Sequence, residues 1–353
     1  MIDMRMAIQS IGISGGFGQG SEALHQALQA GQVEPQSAAV ERNGKIDRFP
    51  CYRAAIDGLD EFIPKRALRR IDHYSKMTLL SASLALKEAD LLEAERSRMG
   101  VVIATGYGAL KTTFDFLDSY LDFGYSCSSP THFSNSVHNA AAAHVSMQFK
   151  ATAPSLTVTQ FEMSVPSALL TARQWLAEGR VDQVLFGATD EYCDVLRYCR
   201  KSFFGDGEKG PMAQFDFDRQ SAMVGEGAAF FVLSGDEQQT DYGYIDTVTL
   251  GNHCAAPLAL PENDFIIAGA DGHRACGQWY AETLAGKPAA SYTPLYGSFP
   301  AAAGFDLAVA ALSLKEGRHF AAPAASGDDA GEDGISCLKF GPGGDYGLIR
   351  LSA

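Results

Sequence analysis

From Met6 to Leu351, short runs of branched and aromatic residues alternate with longer stretches of helical period, and a chain written this way must stack helices on sheet. A first strand is expected over 6–14, followed by a glycine turn and a short helix over 21–31. One long helix is expected over 65–92; its middle, MTLLSASLAL, is so rich in small and apolar residues that it reads as packing surface. Then come a strand running into a glycine turn (100–108), a helix (134–149), a β-branched strand (155–160), a helix ending in glycine (165–179), and strands at 183–188 and 228–233. The acidic GDEQQTD that follows is the best internal boundary, giving halves of 1–240 and 241–353. The shorter half offers strands at 244–251, 265–268, 335–340 and 347–351 and helices at 272–284 and 303–314. Only some ten residues separate Gly251 from the strand at Phe265, too few for a covering helix, and 321–333 reads as a surface loop.

Composition narrows the function. Hydrophobic residues make up 46% of the 353, enough for a sizeable core, and the net charge of −14 argues against a nucleic-acid partner, because phosphate binding needs a basic footprint. The same acidity argues against this chain docking an acidic carrier by itself. The seven cysteines form no CxxC pair and are odd in number, so reduced thiols are expected; Cys193 and Cys199 lack a His or Asp at ligand spacing, and no metal or cofactor is expected. No run reaches the roughly 20 apolar residues that span a bilayer, and MIDMRMAIQSIGIS has no signal-peptide character. A soluble cytoplasmic protein is expected.

Several stretches, in order, resemble the β-ketoacyl-ACP synthases of the thiolase superfamily. RRIDHYSKMTLLSASLALKEADL (69–91) is similar to the helix that packs below the family's active site, and SPTHFSNSVHNAAAAHVSMQFKATAPSLTV (129–158) to the approach to its nucleophile elbow. FDFDRQSAMVGEGAAFFVL (215–233) is the most specific match, resembling PFD-x-x-R-x-G-x-x-x-GEGA. GSFPAAAGFDLAVAALSLKEG (297–317) and FGPGGDYGLIRL (340–351) resemble the last active-site loop and the final glycine turn. The FSNSVHNA wording is similar to a divergent subgroup found beside type II synthases, including those building aryl polyenes. The resemblance implies an α/β, thiolase-like layered αβαβα fold of two related halves, the second shortened.

It also implies where chemistry should sit. Condensation in this family needs a cysteine thiolate to hold the acyl chain and two histidines to assist decarboxylation. Aligned on APSLTVTQFEMS, Glu162 stands at the cysteine position, and no cysteine lies within thirty residues of it. Gly269 stands at the first histidine position and Ser298 at the second, with Thr293 in place of the supporting lysine; His273, four residues beyond Gly269, is set aside in favour of the alignment on Gly272. Losing nucleophile and both proton handlers removes the mechanism as a unit. His132, His138 and Cys127 are read as surface, core or loop residues rather than a site.

The resemblance therefore implies a non-condensing chain-length factor. It would pair with an active β-ketoacyl-ACP synthase through strand residues Leu156, Thr157, Val158, Thr159 and Gln160, and receive acyl carrier protein mainly through that partner. Tyr107, Phe133 and Met163 are expected to line the tunnel, with Pro342 replacing a gating phenylalanine. Two alternatives stay open: a stand-alone malonyl-ACP decarboxylase using Glu162, and a thiolase-fold homodimer with unrelated chemistry.

Overall fold

Strands whose side chains are apolar on both sides are covered on both sides, and that rule builds this molecule. The computed structural model describes residues 4–42, 45–204, 210–235, 238–326 and 333–353. Five strands of the first half are β1 (Met6–Gly15), β2 (Met99–Thr105), β3 (Ser155–Thr159), β4 (Gln183–Asp190) and β5 (Gly227–Gly235); five of the second are β6 (Tyr244–Asn252), β7 (Asp264–Ala268), β8 (Ala289–Ser291), β9 (Gly334–Phe340) and β10 (Asp345–Ser352). The first set is ordered β3-β2-β4-β5-β1 and the second β8-β7-β9-β10-β6, so each half repeats the order 3-2-4-5-1. β1 joins β6 over one corner only, where Met6 and Ala7 face Ile245 and Tyr244.

The longer helices are α1 (Gly20–Ala30), α2 (His73–Glu88), α3 (Leu110–Phe123), α4 (Pro130–Ser136), α5 (Ala140–Phe149), α6 (Ser164–Ala177), α7 (Asp194–Phe204), α8 (Arg274–Thr283) and α9 (Ala303–Glu316). Alternation along β2 assigns the layers: Val101 and Ile103 face α2 and α5, whereas Val102 and Ala104 face α6 and α9 in the middle layer. α6 and α9 touch both sheets, and α8 covers the outer face of the second sheet through Cys276 and Tyr280 against Ile266, Leu338 and Phe340. The αβαβα order expected from the sequence is present. The small residues of α2 let β1 approach closely: a Cβ on Gly12 would lie 2.1 Å from the Ser81 carbonyl oxygen. No helix occupies 253–263, so the outer layer of the second half is thin.

Some element boundaries differ from expectation. The helix expected over 65–92 is interrupted, because Asp72 caps α2 by accepting from Ser75 N at 2.7 Å and Ser75 Oγ at 3.1 Å. The helix expected over 134–149 is two: α4 starts at Pro130, capped by Ser129, and the chain turns extended at Val137 before α5. α3, α7 and an antiparallel hairpin of Gln36–Arg42 with Lys45–Cys51 were not foreseen. The expected loop at 321–333 contributes an edge strand, Ala324–Ser326, beside β8; 327–332, like 236–237 in the expected boundary, lie outside the described residues.

Candidate functional site

Parallel strands β2, β3, β4 and, in the other half, β7, β8 and β9 end on one side of the molecule, and the loops after them converge there. After β3 the chain makes an elbow. Phe161 is held at φ +47°, a left-handed conformation for a bulky residue, and Ser164 Oγ accepts from Gln160 N and lies against the Thr105 carbonyl, both at 2.8 Å. The elbow presents Glu162, half-buried, to the pocket. After β2, the amides of Gly106 and Tyr107 and the Thr105 hydroxyl donate to one oxygen of Asp190, at 2.9, 3.0 and 2.8 Å, while Ala301 N donates to the other at 2.9 Å. Asp190 thus ties the loop after β2 to the loop carrying Ser298. Burial pushes its carboxyl up to about 6 against the pull of those four donors.

A buried lysine occupies the floor. Lys339 Nζ, on β9, donates to the Gly269 carbonyl at 2.8 Å and to Asp271 Oδ2 at 3.1 Å. The same Asp271 oxygen accepts from Ser298 Oγ at 2.7 Å. Burial works to lower the lysine, but Asp271, Cys276, Glu162 and Asp306 around it outweigh that and raise it above its ordinary value, so it stays charged. Burial pushes Asp306 up to about 6, against the Tyr296 hydroxyl that donates to it and the nearby Lys339. Gly269 is hemmed in by this group. A Cβ there would stand 2.9 Å from Lys339 Cδ and 3.0 Å from Asp306 Oδ2, so no imidazole fits without displacing the lysine.

The pocket lined by Tyr107, Glu162, His273, Ser298, Lys339 and Pro342 encloses about 40 Å³. That admits a water or two, whereas small-molecule sites run to roughly 300–1,000 Å³. A larger groove of about 760 Å³ opens elsewhere, beside Val33, Met212 and Pro294, and includes none of Glu162, Gly269 and Ser298. Of the sequence candidates, the structure brings Glu162, Ser298, Tyr107 and Pro342 to one pocket, with Gly269 behind it. Tyr107 lines the same pocket as Glu162, its ring 5.6 Å from that of Phe161. Met163 is buried next to the elbow, and Phe133 lies on the surface against Phe116, 58% exposed, because α4 stands away from the core. β3 is an edge strand, with Leu156 40% exposed. Sequence reasoning missed Lys339, Asp271 and Asp306; the available signal was a lone lysine in the apolar strand GISCLKF. Among the described residues no cluster of His, Cys, Asp and Glu is placed to hold a metal, and no helix is long and apolar enough to cross a membrane.

Residues 12–239 match the family described as beta-ketoacyl synthase, N-terminal domain. A putative mitochondrial 3-oxoacyl-[acyl-carrier-protein] synthase of Schizosaccharomyces pombe is 26% identical over 183 residues, 49% of this chain and 43% of the relative. The polyketide biosynthesis malonyl-ACP decarboxylase PksF of Bacillus subtilis is 24% identical over 241 residues, 66% and 58% of the two chains. The chain spans about half the length of the curated relatives it matches. Among solved structures, the ishigamide ketosynthase/chain length factor superposes with a TM-score of 0.81 at 18% identity, covering 99% of each chain.

Proposed function

Because this chain belongs to the β-ketoacyl synthase family through residues 12–239, we propose that it is a non-condensing, chain-length-factor subunit of a fatty-acid or polyketide-type synthase, of the kind that builds aryl polyenes. The observation that carries this reading is the elbow: it keeps its strained backbone, yet presents Glu162 to a pocket of about 40 Å³. A carboxylate cannot hold an acyl group as a thioester, and Ser298 and Gly269 cannot shuttle the protons that an imidazole would. An active β-ketoacyl-ACP synthase would supply the cysteine and histidines, pair with this chain through Leu156–Gln160 at the free edge of β3, and take up the acyl carrier protein. This chain would then shape the acyl tunnel, with Tyr107 and Phe161 as its contribution near the junction.

The test is to purify the protein gently from its own host and weigh the intact complex. The reading predicts a stoichiometric ketosynthase whose condensing activity disappears without this chain. Leu156→Glu, at an exposed position, should release the partner and leave the fold unchanged.

A second reading is favoured by one specific observation, the similarity to a malonyl-ACP decarboxylase over 66% of the chain. Glu162 and the charged Lys339 share the pocket. If the isolated chain released CO2 from malonyl-ACP and Glu162→Ala stopped it, the subunit reading would give way to this enzyme.

A further inference from the structure

The α3–α4 excursion leaves apolar surface uncovered. Leu117 and Leu121, one turn apart on α3, are 41% and 74% exposed; Phe123, its last residue, and Tyr125, past its end, are 69% and 85% exposed. Soluble chains seldom leave contiguous apolar surface of this kind without a partner. At the other end of the helix, Tyr107, just before α3, touches Phe161, just after β3, so the start of α3 adjoins the edge strand.

Beside the apolar stripe lies an acidic one. Lys111, Asp115, Asp118 and Asp122 fall at i, i+4, i+7 and i+11, on one face of the helix. Lys111 is committed to Asp115 at 2.6 Å. Asp118 and Asp122 are exposed and pair with no cation among the described residues. α7, which packs against α3, brings Arg197, but its guanidinium sits on the Phe49 ring, 3.2 Å from the centroid. In a two-fold dimer of identical chains formed through this face, the face would meet itself. Such a pairing would set acidic stripes together and double a net charge of −14.

We propose that the α3 face specifies a non-identical partner of the same fold whose matching face is basic, with Asp118 and Asp122 forming a rim that repels a second copy of this chain. This rests on the subunit reading and adds how the partner is chosen.

The test mixes wild-type chain with a charge-reversed copy, Asp118→Lys/Asp122→Lys, and follows association by sedimentation at low and high salt. Both positions are exposed, so the copy should fold, as circular dichroism will report; if it does not, Asp118→Asn/Asp122→Asn replaces it and should strengthen self-association. The mixed pair is expected to associate about tenfold more tightly than either copy with itself, with the gap closing as salt rises. Wild-type chain that dimerises as tightly as the mixture, or three samples indistinguishable from one another, would overturn the proposal. A second arm separates it from the reading on which it rests. If a ketosynthase co-purifies and ignores the charge reversal, the partner stands and charge selection falls. If none co-purifies, the partner reading falls, and mixing the copies still decides whether the rim repels.

Discussion

Lys339 is enclosed by Asp271, Asp306 and the Gly269 carbonyl, only 5% of its side chain exposed, and its ammonium lies 3.1 Å from Asp271 Oδ2. Removing one member of a buried pair strands the other, at a cost of about 3–5 kcal/mol. Lys339→Met should therefore lower the urea midpoint sharply, and adding Asp271→Leu should recover part of the loss. An unchanged midpoint for the single variant would mean that the ammonium is not the partner of Asp271. That Glu162 and Ser298 share a pocket was legible because each sits in a stretch that resembles a motif of the family. Lys339 was not, because it reaches the pocket from β9, some seventy residues from Gly269 in sequence, and only the fold brings them together.

Among the elements, the pairing of β1 with α2 is the tightest constraint. A Cβ on Gly12 would lie 2.1 Å from Ser81 O and 2.2 Å from Ala85 N, both backbone atoms that cannot swing aside. Gly12→Ala should cost about 3 kcal/mol or more by overpacking and leave much of the protein insoluble when expressed. Full solubility with an unshifted midpoint would show that the helix can retreat. The small residues of MTLLSASLAL announced such a contact without naming the strand that makes it. Elements with β-branched runs or long runs of small and apolar residues were legible, while α3 was missed although its apolar and acidic residues recur at helical spacing. The interruption before α2 was written in the sequence as Asp72 three residues ahead of Ser75, a local cap that overrides helical continuity.

For the whole molecule, burial has left several acids reluctant to ionise. Glu191 is pushed up to about 8, chiefly by burial and against the Lys111 amide that donates to it; Asp190 and Asp306 rise to about 6. A carboxyl whose folded pKa lies above its unfolded value is held neutral where the unfolded chain is already charged. Its contribution to stability is thus greatest below about 4.5 and is lost as pH climbs to the folded value. His73 is raised by its bond to Glu226, against the opposing effect of burial, and likewise loses stabilisation on deprotonating as pH rises. Stability should therefore fall between about pH 5 and pH 8. Glu191→Gln should flatten that fall and leave the variant more stable than wild type at the alkaline end. A denaturation series showing wild type and Glu191→Gln with the same pH slope would contradict the assignment.

The middle layer has a consequence for descent. α6 and α9 each rest on both sheets, and Gly304 of α9 lies so close to Ala188 of β4 that a Cβ would come within 2.4 Å of it. Neither half can be discarded, shuffled or donated to another gene without unroofing the other. Glu162 lies half-buried on the pocket, whereas Ser298 is fully buried and donates to Asp271 Oδ2 at 2.7 Å, so the two positions differ in how freely a side chain can be exchanged. On such a scaffold the residues of the pocket can change one at a time, each at a cost set by its own neighbours, while the architecture stays under full selection.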